Sequence, residues 1–212
     1  MSAARNYGAK SSNSPWLAFL DSDDEWVPQK LEAQIAYIQK YPEYRFVHTE
    51  EIWIRNGVRV NPKQKHKKTA ENIFERSLEF CIISPSTSMI TRDLFEHYNG
   101  FDEKFTVCED YDLWLKIMSR EEIGFVEEPL TKKYGGHEDQ LSNQFVLMDQ
   151  WRFNSLMELF QAKDISPEKR TLIENELLKK SELLIKGYLK HQNETKAQEI
   201  TTLLNQARLT KA

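Results

Sequence analysis

Two cysteines, seven glycines and seven prolines are all that these 212 residues hold of those types. Cys81 and Cys108 lie far apart and without metal-ligand spacing, so neither a disulfide framework nor a zinc site is indicated, and a reducing compartment fits. No stretch approaches the ~18 consecutive apolar residues of a membrane span, and "MSAARNYGAK" is not the basic-then-apolar start of a signal peptide. A cytoplasmic protein is expected. Positive charge is also short: 29 Lys and Arg against 33 Asp and Glu leave a net charge of -4, which argues against a nucleic-acid partner. The one basic run, "KQKHKK" at 63–68, reads as a solvated loop, with contact to a phosphate or anionic lipid as its second use.

What is present suffices for one substantial core: 40% of residues are hydrophobic and 11% aromatic. "SAARNYGAK" reads as a helix with Ala3, Ala4 and Tyr7 at helical spacing, ended by "SSNSP". "WLAFL" is a short apolar run with the pattern of a strand covered on both faces. Pro28 opens an amphipathic helix whose apolar face is Leu31, Ile35 and Ile38. "NG" at 56 and 57 sits between alternating segments, the signal of a hairpin. "TAENIFERSLEF", "RDLFEHYNGF" and "EDYDLWLKIMSRE" read as helices, "CIISPSTSMIT" as strand or loop and "IGFVEEPLTKKYG" as a strand. From about residue 145 the apolar spacing predicts two or three packed helices. No fixed repeat period is found.

Two acidic clusters carry the chemistry. Asp21, Asp23 and Asp24 follow the first apolar strand, and ligands of open α/β sheets bind beyond the carboxyl ends of strands. Carboxylates at this spacing can hold a hard divalent cation that shares a substrate diphosphate. They could instead cap the next helix while facing water. A calcium loop is disfavoured because Trp26 stands where a sharp turn needs Gly. At the second cluster, Glu109, Asp110 and Asp112 either stabilise a helix N-terminus or supply a general base. His137, in "GGHEDQLS", is a surface residue or a ligand for Mn²⁺.

Together these stretches resemble a known family. "SAARNYGAKSSNSPWLAFLDSDDEWVPQKLEAQ" and "GFDEKFTVCEDYDLWLKI", about ninety residues apart, resemble the Asp-x-Asp and acceptor-site segments of the family-2 glycosyltransferases of GT-A fold. The similarity covers roughly residues 1–142. It implies an α/β fold with an incomplete GT-A (Rossmann-like) sheet and flanking helices over 1–144, followed by a helical extension over 145–212.

The resemblance also implies transfer of a sugar from a nucleotide-diphosphate donor to the hydroxyl of a saccharide or glycolipid, with inversion. Asp21 would lie beside the donor's nucleoside and sugar, and Arg5 beside its phosphates. Asp23, with Asp24 as helper and His137 as a late contact, would bind Mg²⁺ or Mn²⁺. Asp110 would be the general base, with Glu109 the second choice. Family members carry a further strand, helix and strand, ending in a nucleotide-reading aspartate, ahead of the Ala-Arg-Asn helix. Their absence leaves a truncated, non-catalytic interaction module as the alternative expectation. The tail is open to packing on the catalytic part, to homo-oligomerisation or to peripheral membrane contact.

Overall fold

The computed structural model describes residues 1–61, 66, 68–136 and 148–209. These form a six-stranded sheet and eight helices. In chain order they are α1 (Ser2–Lys10), β1 (Trp16–Ala18), β2 (Asp24–Trp26), α2 (Lys30–Lys40), β3 (Phe46–Arg55), β4 (Val58–Val60) and α3 (Ile73–Glu79). There follow β5 (Ser88–Thr91), α4 (Arg92–His97), α5 (Glu109–Met118), β6 (Gly124–Gly135), α6 (Met148–Gln161), α7 (Pro167–Lys190) and α8 (Glu194–Leu209). A 3-10 turn at Pro85–Thr87 leads into β5.

The strand order is β1-β5-β3-β6-β2, with β4 folded back on β3. Strand β3 is the axis: it pairs parallel to β6 and antiparallel to β5 and β4. The β3–β4 hairpin turns at Asn56 and Gly57, with φ of 49° and 75°. Those are the two left-handed residues that a tight hairpin turn demands, as the sequence predicts. Between Thr49 and Glu51 the β3–β6 register shifts, placing Pro129 opposite Glu50. A bulge is where a central strand tolerates a residue with no N–H to donate.

Helix α5 is the centre of the core. Tyr111, Leu113, Trp114, Leu115 and Ile117 are each at most 1% exposed. Their burial drives α5 between the sheet and the C-terminal helices, since an aromatic or branched side chain contributes about 1.5–3 kcal/mol on leaving water. Trp114 stacks on Phe46 of β3 at 4.6 Å, and its Nε1–H donates to the Ile83 carbonyl at 3.1 Å. Phe153, Leu156 and Phe160 of α6, Leu177 of α7 and Leu204 of α8 join the same apolar cluster. The tail therefore packs on the sheet-bearing part through a shared core.

Several sequence expectations fail on which face is buried. The apolar stripe of α2 points outward, Leu31 and Ile35 being 42% and 47% exposed, while Lys30 and Gln34 are fully buried. The cause is polar: Lys30 Nζ donates to Gln34 Oε1 at 2.7 Å and lies 4.4 Å above the Trp26 ring. Gln34 in turn donates to the carbonyls of Val47 and Thr87. In α1 likewise Ser2, Asn6 and Ala9 are buried, whereas Ala3, Ala4 and Tyr7 are exposed. Strand β1 is fully buried on one face only, Leu17 being buried and Trp16 and Ala18 partly exposed; among the described residues it pairs with β5 alone and ends the sheet.

The basic run is not uniformly solvated either. Lys68 is 2% exposed, and His66 packs between Trp53 and Phe80. The remainder of that run, 63–65 and 67, lies outside the described residues.

Candidate active site

The two acidic clusters meet through one guanidinium. From the first turns of α1, Arg5 donates through Nη2 to Asp21 Oδ1 and through Nη1 to Glu109 Oε1, at 2.5 Å each. Glu109 is nearly buried and Asp21 about a quarter exposed. Burial alone would lower the Arg5 pKa, but Asp21, Asp110 and Glu109 together raise it above its ordinary value. The planar guanidinium gives a separate nitrogen to each of the two carboxylates.

Asn6 explains why the guanidinium is held there. Its Nδ2 donates to the Phe101 carbonyl at 2.8 Å, and its Oδ1 accepts the Phe101 N–H at 3.0 Å. Gly100, at φ 68°, lets the chain pass close beneath: a Cβ there would sit 2.7 Å from Asn6 Oδ1. The Arg-Asn pair of the sequence thus divides its work, Asn6 clamping α1 to the segment before α5 and Arg5 crossing to the acids.

The acid loop is shaped by Ser86 in the 3-10 turn. Its Oγ accepts the Asp21 N–H at 3.0 Å, and its carbonyl accepts from Trp26 Nε1 and from the Thr131 hydroxyl. Asp24 begins β2, and its Oδ1 accepts the Tyr134 N–H at 3.3 Å. Burial, with help from Asp21 and Asp23, pushes the Asp24 carboxyl up to about 6, against the pull of Ser86 and Lys133. Asp23 is exposed at the tip of the loop. None of these acids caps α2, whose N-cap is Gln29 and makes no side-chain cap bond.

Asp110 occupies the first turn of α5. Its Oδ1 accepts the N–H of Tyr111 at 2.7 Å and its Oδ2 accepts from the Cys81 thiol at 3.4 Å. Burial and Asp110 both push the Cys81 thiol well up, so that it stays a protonated donor. The preceding N-cap, Cys108, takes φ 65°, a left-handed conformation that costs a non-glycine residue about 1–2 kcal/mol. Glu109 and Asp110 follow this strained residue directly. Burial first, then Asp110, raises the Glu109 pKa, and Arg5 opposes them. The third acid, Asp112, faces away from the cleft onto Lys116 at 2.7 Å and is structural.

Two groups escaped the sequence reading. Lys133 of β6 pairs in register with both Asp24 and Trp53; burial alone would lower the pKa of its ammonium, but Glu51, Asp24 and Asp110 raise it above its ordinary value. Glu51 of β3 is buried and accepts from Lys68 Nζ at 2.9 Å, the Ser84 hydroxyl at 2.8 Å and Trp53 Nε1 at 2.6 Å. Burial alone would raise this carboxyl, but Lys68, Lys133 and Ser84 hold it at about 2. A strand lysine or glutamate carries no sequence signal of such a role. His137 lies outside the described residues.

Among the described residues no group of three or more His, Cys, Asp and Glu is arranged to hold a metal ion. Asp23 and Asp24 nevertheless suit a hard cation that takes most of its ligands from water and substrate phosphates.

Residues 1–98 match the profile described as "Glycosyl transferase family 2". Over those residues the chain is similar to the family-2 glycosyltransferases. Glu109 and Asp110 lie beyond the matched residues.

An uncharacterized glycosyltransferase of Rickettsia felis is 32% identical over 136 residues, 61% of this chain and 21% of that protein. The Escherichia coli protein WfgD, a UDP-Glc:alpha-D-GlcNAc-diphosphoundecaprenol beta-1,3-glucosyltransferase, is 32% identical over 129 residues, 58% of this chain and 46% of that one. Staphylococcus aureus TarS 1-349, solved in complex with UDP-GlcNAc, superposes with a TM-score of 0.62 at 16% identity, over 89% of this chain and 53% of that one. The fold is thus a GT-A-like mixed α/β fold with C-terminal helices. This chain spans under half the length of those curated relatives.

Proposed function

We propose that the chain transfers a sugar from a nucleotide-diphosphate donor to the hydroxyl of a saccharide or glycolipid, in the cytoplasm, during polysaccharide or glycoconjugate synthesis. One observation carries this reading: Arg5 joins the loop of Asp21, the donor-binding candidate, to the helix start that holds Glu109 and the base candidate Asp110. The family-2 match over residues 1–98 and the WfgD likeness support the class of reaction; TarS supports the fold alone.

In this reading Asp110 takes the proton of the acceptor hydroxyl as it attacks the anomeric carbon, and Glu109 is the second choice. A single base and direct displacement invert that carbon. Asp21 positions the donor's nucleoside and sugar, held in place by Arg5 and by the Ser86 hydroxyl. Asp23 and Asp24 would hold Mg²⁺ or Mn²⁺, whose charge when bound offsets that developing on the nucleotide diphosphate.

The test is transfer from UDP-, GDP- and dTDP-sugars with wild type and Asp110→Asn. The variant is expected to bind nucleotide as wild type does and to lose about 10²–10⁴-fold in turnover, the usual contribution of a general base. Undiminished turnover in Asp110→Asn would remove the base assignment.

A further inference from the structure

The thiol of Cys81 carries one proton and has two acceptors within reach, the Ile83 carbonyl at 3.2 Å and Asp110 Oδ2 at 3.4 Å. The two are not equal. An ionised carboxylate draws a hydrogen bond more strongly than a neutral carbonyl, and the Ile83 oxygen already accepts the Trp114 Nε1–H at 3.1 Å. With Asp110 ionised, the thiol proton therefore points to the carboxylate. Burial first, and Asp110 after it, keep that proton on sulfur.

Helix α5 fixes where the sulfur stands. The Tyr111 hydroxyl donates to the Leu78 carbonyl at 2.6 Å and Trp114 holds Ile83, so the segment that carries Cys81 is tied to α5 on both sides of the thiol. Asp110 projects from the first turn of that same helix, and its Oδ1 accepts the Tyr111 N–H at 2.7 Å. Each carboxyl oxygen thus has one protein donor. A carboxylate offers about four lone-pair sites, which leaves two for a substrate hydroxyl. Donors on both oxygens fix the rotation of the carboxyl plane, whereas a donor on one leaves it free to turn. Asp110 and Cys81 line, with Lys133 of β6 and Arg152 of α6, a cavity of about 280 Å³, so the oriented carboxylate borders open space.

We infer that Cys81 is a positioning residue: its S–H sets the orientation in which the Asp110 carboxylate takes the proton of the attacking hydroxyl, and turns to the Ile83 carbonyl once Asp110 holds that proton. Sulfur keeps its own proton throughout, and the proton gained by Asp110 comes from the hydroxyl alone. The inference rests on the proposed transferase reading with Asp110 as base.

The test compares transfer by the full chain in wild type, Cys81→Ala and Cys81→Ser, alone and combined with Asp110→Asn. Cys81→Ala is expected to lower kcat about tenfold while UDP binding, measured calorimetrically, is unchanged. Cys81→Ser, which keeps a donor, should stay within about threefold of wild type. On Asp110→Asn, Cys81→Ala should have no further effect, because the two residues act as one unit. A purely structural role would lower turnover equally in both backgrounds and weaken UDP binding. A second readout needs no turnover: the infrared S–H stretching band of Cys81, identified by its loss in Cys81→Ser. Asp110→Ala leaves the thiol only the Ile83 carbonyl and should move that band to higher frequency, as a weaker hydrogen bond does.

Unchanged kcat in Cys81→Ala, equal losses in the two backgrounds, or a band that stays in place in Asp110→Ala would each overturn the inference. Absence of transfer by wild type, or undiminished turnover in Asp110→Asn, would count against the transferase reading instead, and the band would still decide the contact between thiol and carboxylate.

Discussion

Arg5 holds Asp21 and Glu109 at 2.5 Å each, partners that stand 16 and 104 residues away in sequence. Removing it leaves a nearly buried glutamate without its cation. Arg5→Ala is expected to destabilise the fold by about 2–4 kcal/mol, toward the lower end because Asp21 keeps some solvent. Arg5→Lys, which restores charge but not the fork, should fall between wild type and Ala. Urea unfolding at pH 7 checks both, and a loss under about 0.5 kcal/mol for Arg5→Ala would mean that the bridge does not hold the two clusters together.

Gly100→Ala should act on the same junction from the other side. The residue sits at φ 68°, and the added Cβ meets Asn6 Oδ1 at 2.7 Å and Phe95 at 2.9 Å. A loss of about 1–3 kcal/mol is expected, together with faster hydrogen exchange in α1 than elsewhere, because Asn6 is its clamp. Uniform exchange throughout the chain would argue against that clamp.

Glu51 and Lys68 form a buried pair whose energy depends on both members being present. Lys68→Met alone should cost about 3–5 kcal/mol, and the double variant Glu51→Gln, Lys68→Met should recover most of it. Glu51, at about 2, lies below its unfolded value, so its contribution is present above the unfolded pKa near 4.5 and fades as pH falls toward 2. In Lys68→Met that acid-side loss should shrink, which unfolding at pH 3 and pH 6 would reveal.

Lys30 gives a pH dependence of the same sign in a higher window. Burial, with Lys68 nearby, pushes its ammonium down to about 7, below the ordinary 10.5. The unfolded chain therefore binds more protons between those limits, and stability should rise with pH there by up to about 1.4 kcal/mol per unit from this group. Lys30→Met should flatten that rise. An identical slope in the variant would assign the effect to other groups.

The local chemistry of the site is readable along the chain, while its assembly is not. The Asn-Gly hairpin, the Asp-x-Asp turn and the acid-headed α5 each follow from neighbouring residues, and each stands where the pattern puts it. The faces of α1 and α2 do not, because hydrophobic spacing ranks residues by apolarity and is blind to carbonyls waiting across the fold. Gln34 is buried to satisfy Val47 and Thr87, and Asn6 to satisfy Phe101. Lys68 reads as one more member of a solvated run until Glu51, on the other side of a hairpin, is brought to it. Lys133 and Arg152 reach Asp110 only through the pairing of β6 and the docking of α6.

The most direct test of the transferase reading is a calorimetric titration of the chain with UDP, with and without Mn²⁺, in wild type and Asp23→Ala. Wild type should bind, more tightly with the metal, and Asp23→Ala should lose that metal dependence while staying folded. Absence of nucleotide binding by wild type at millimolar concentration would contradict the account.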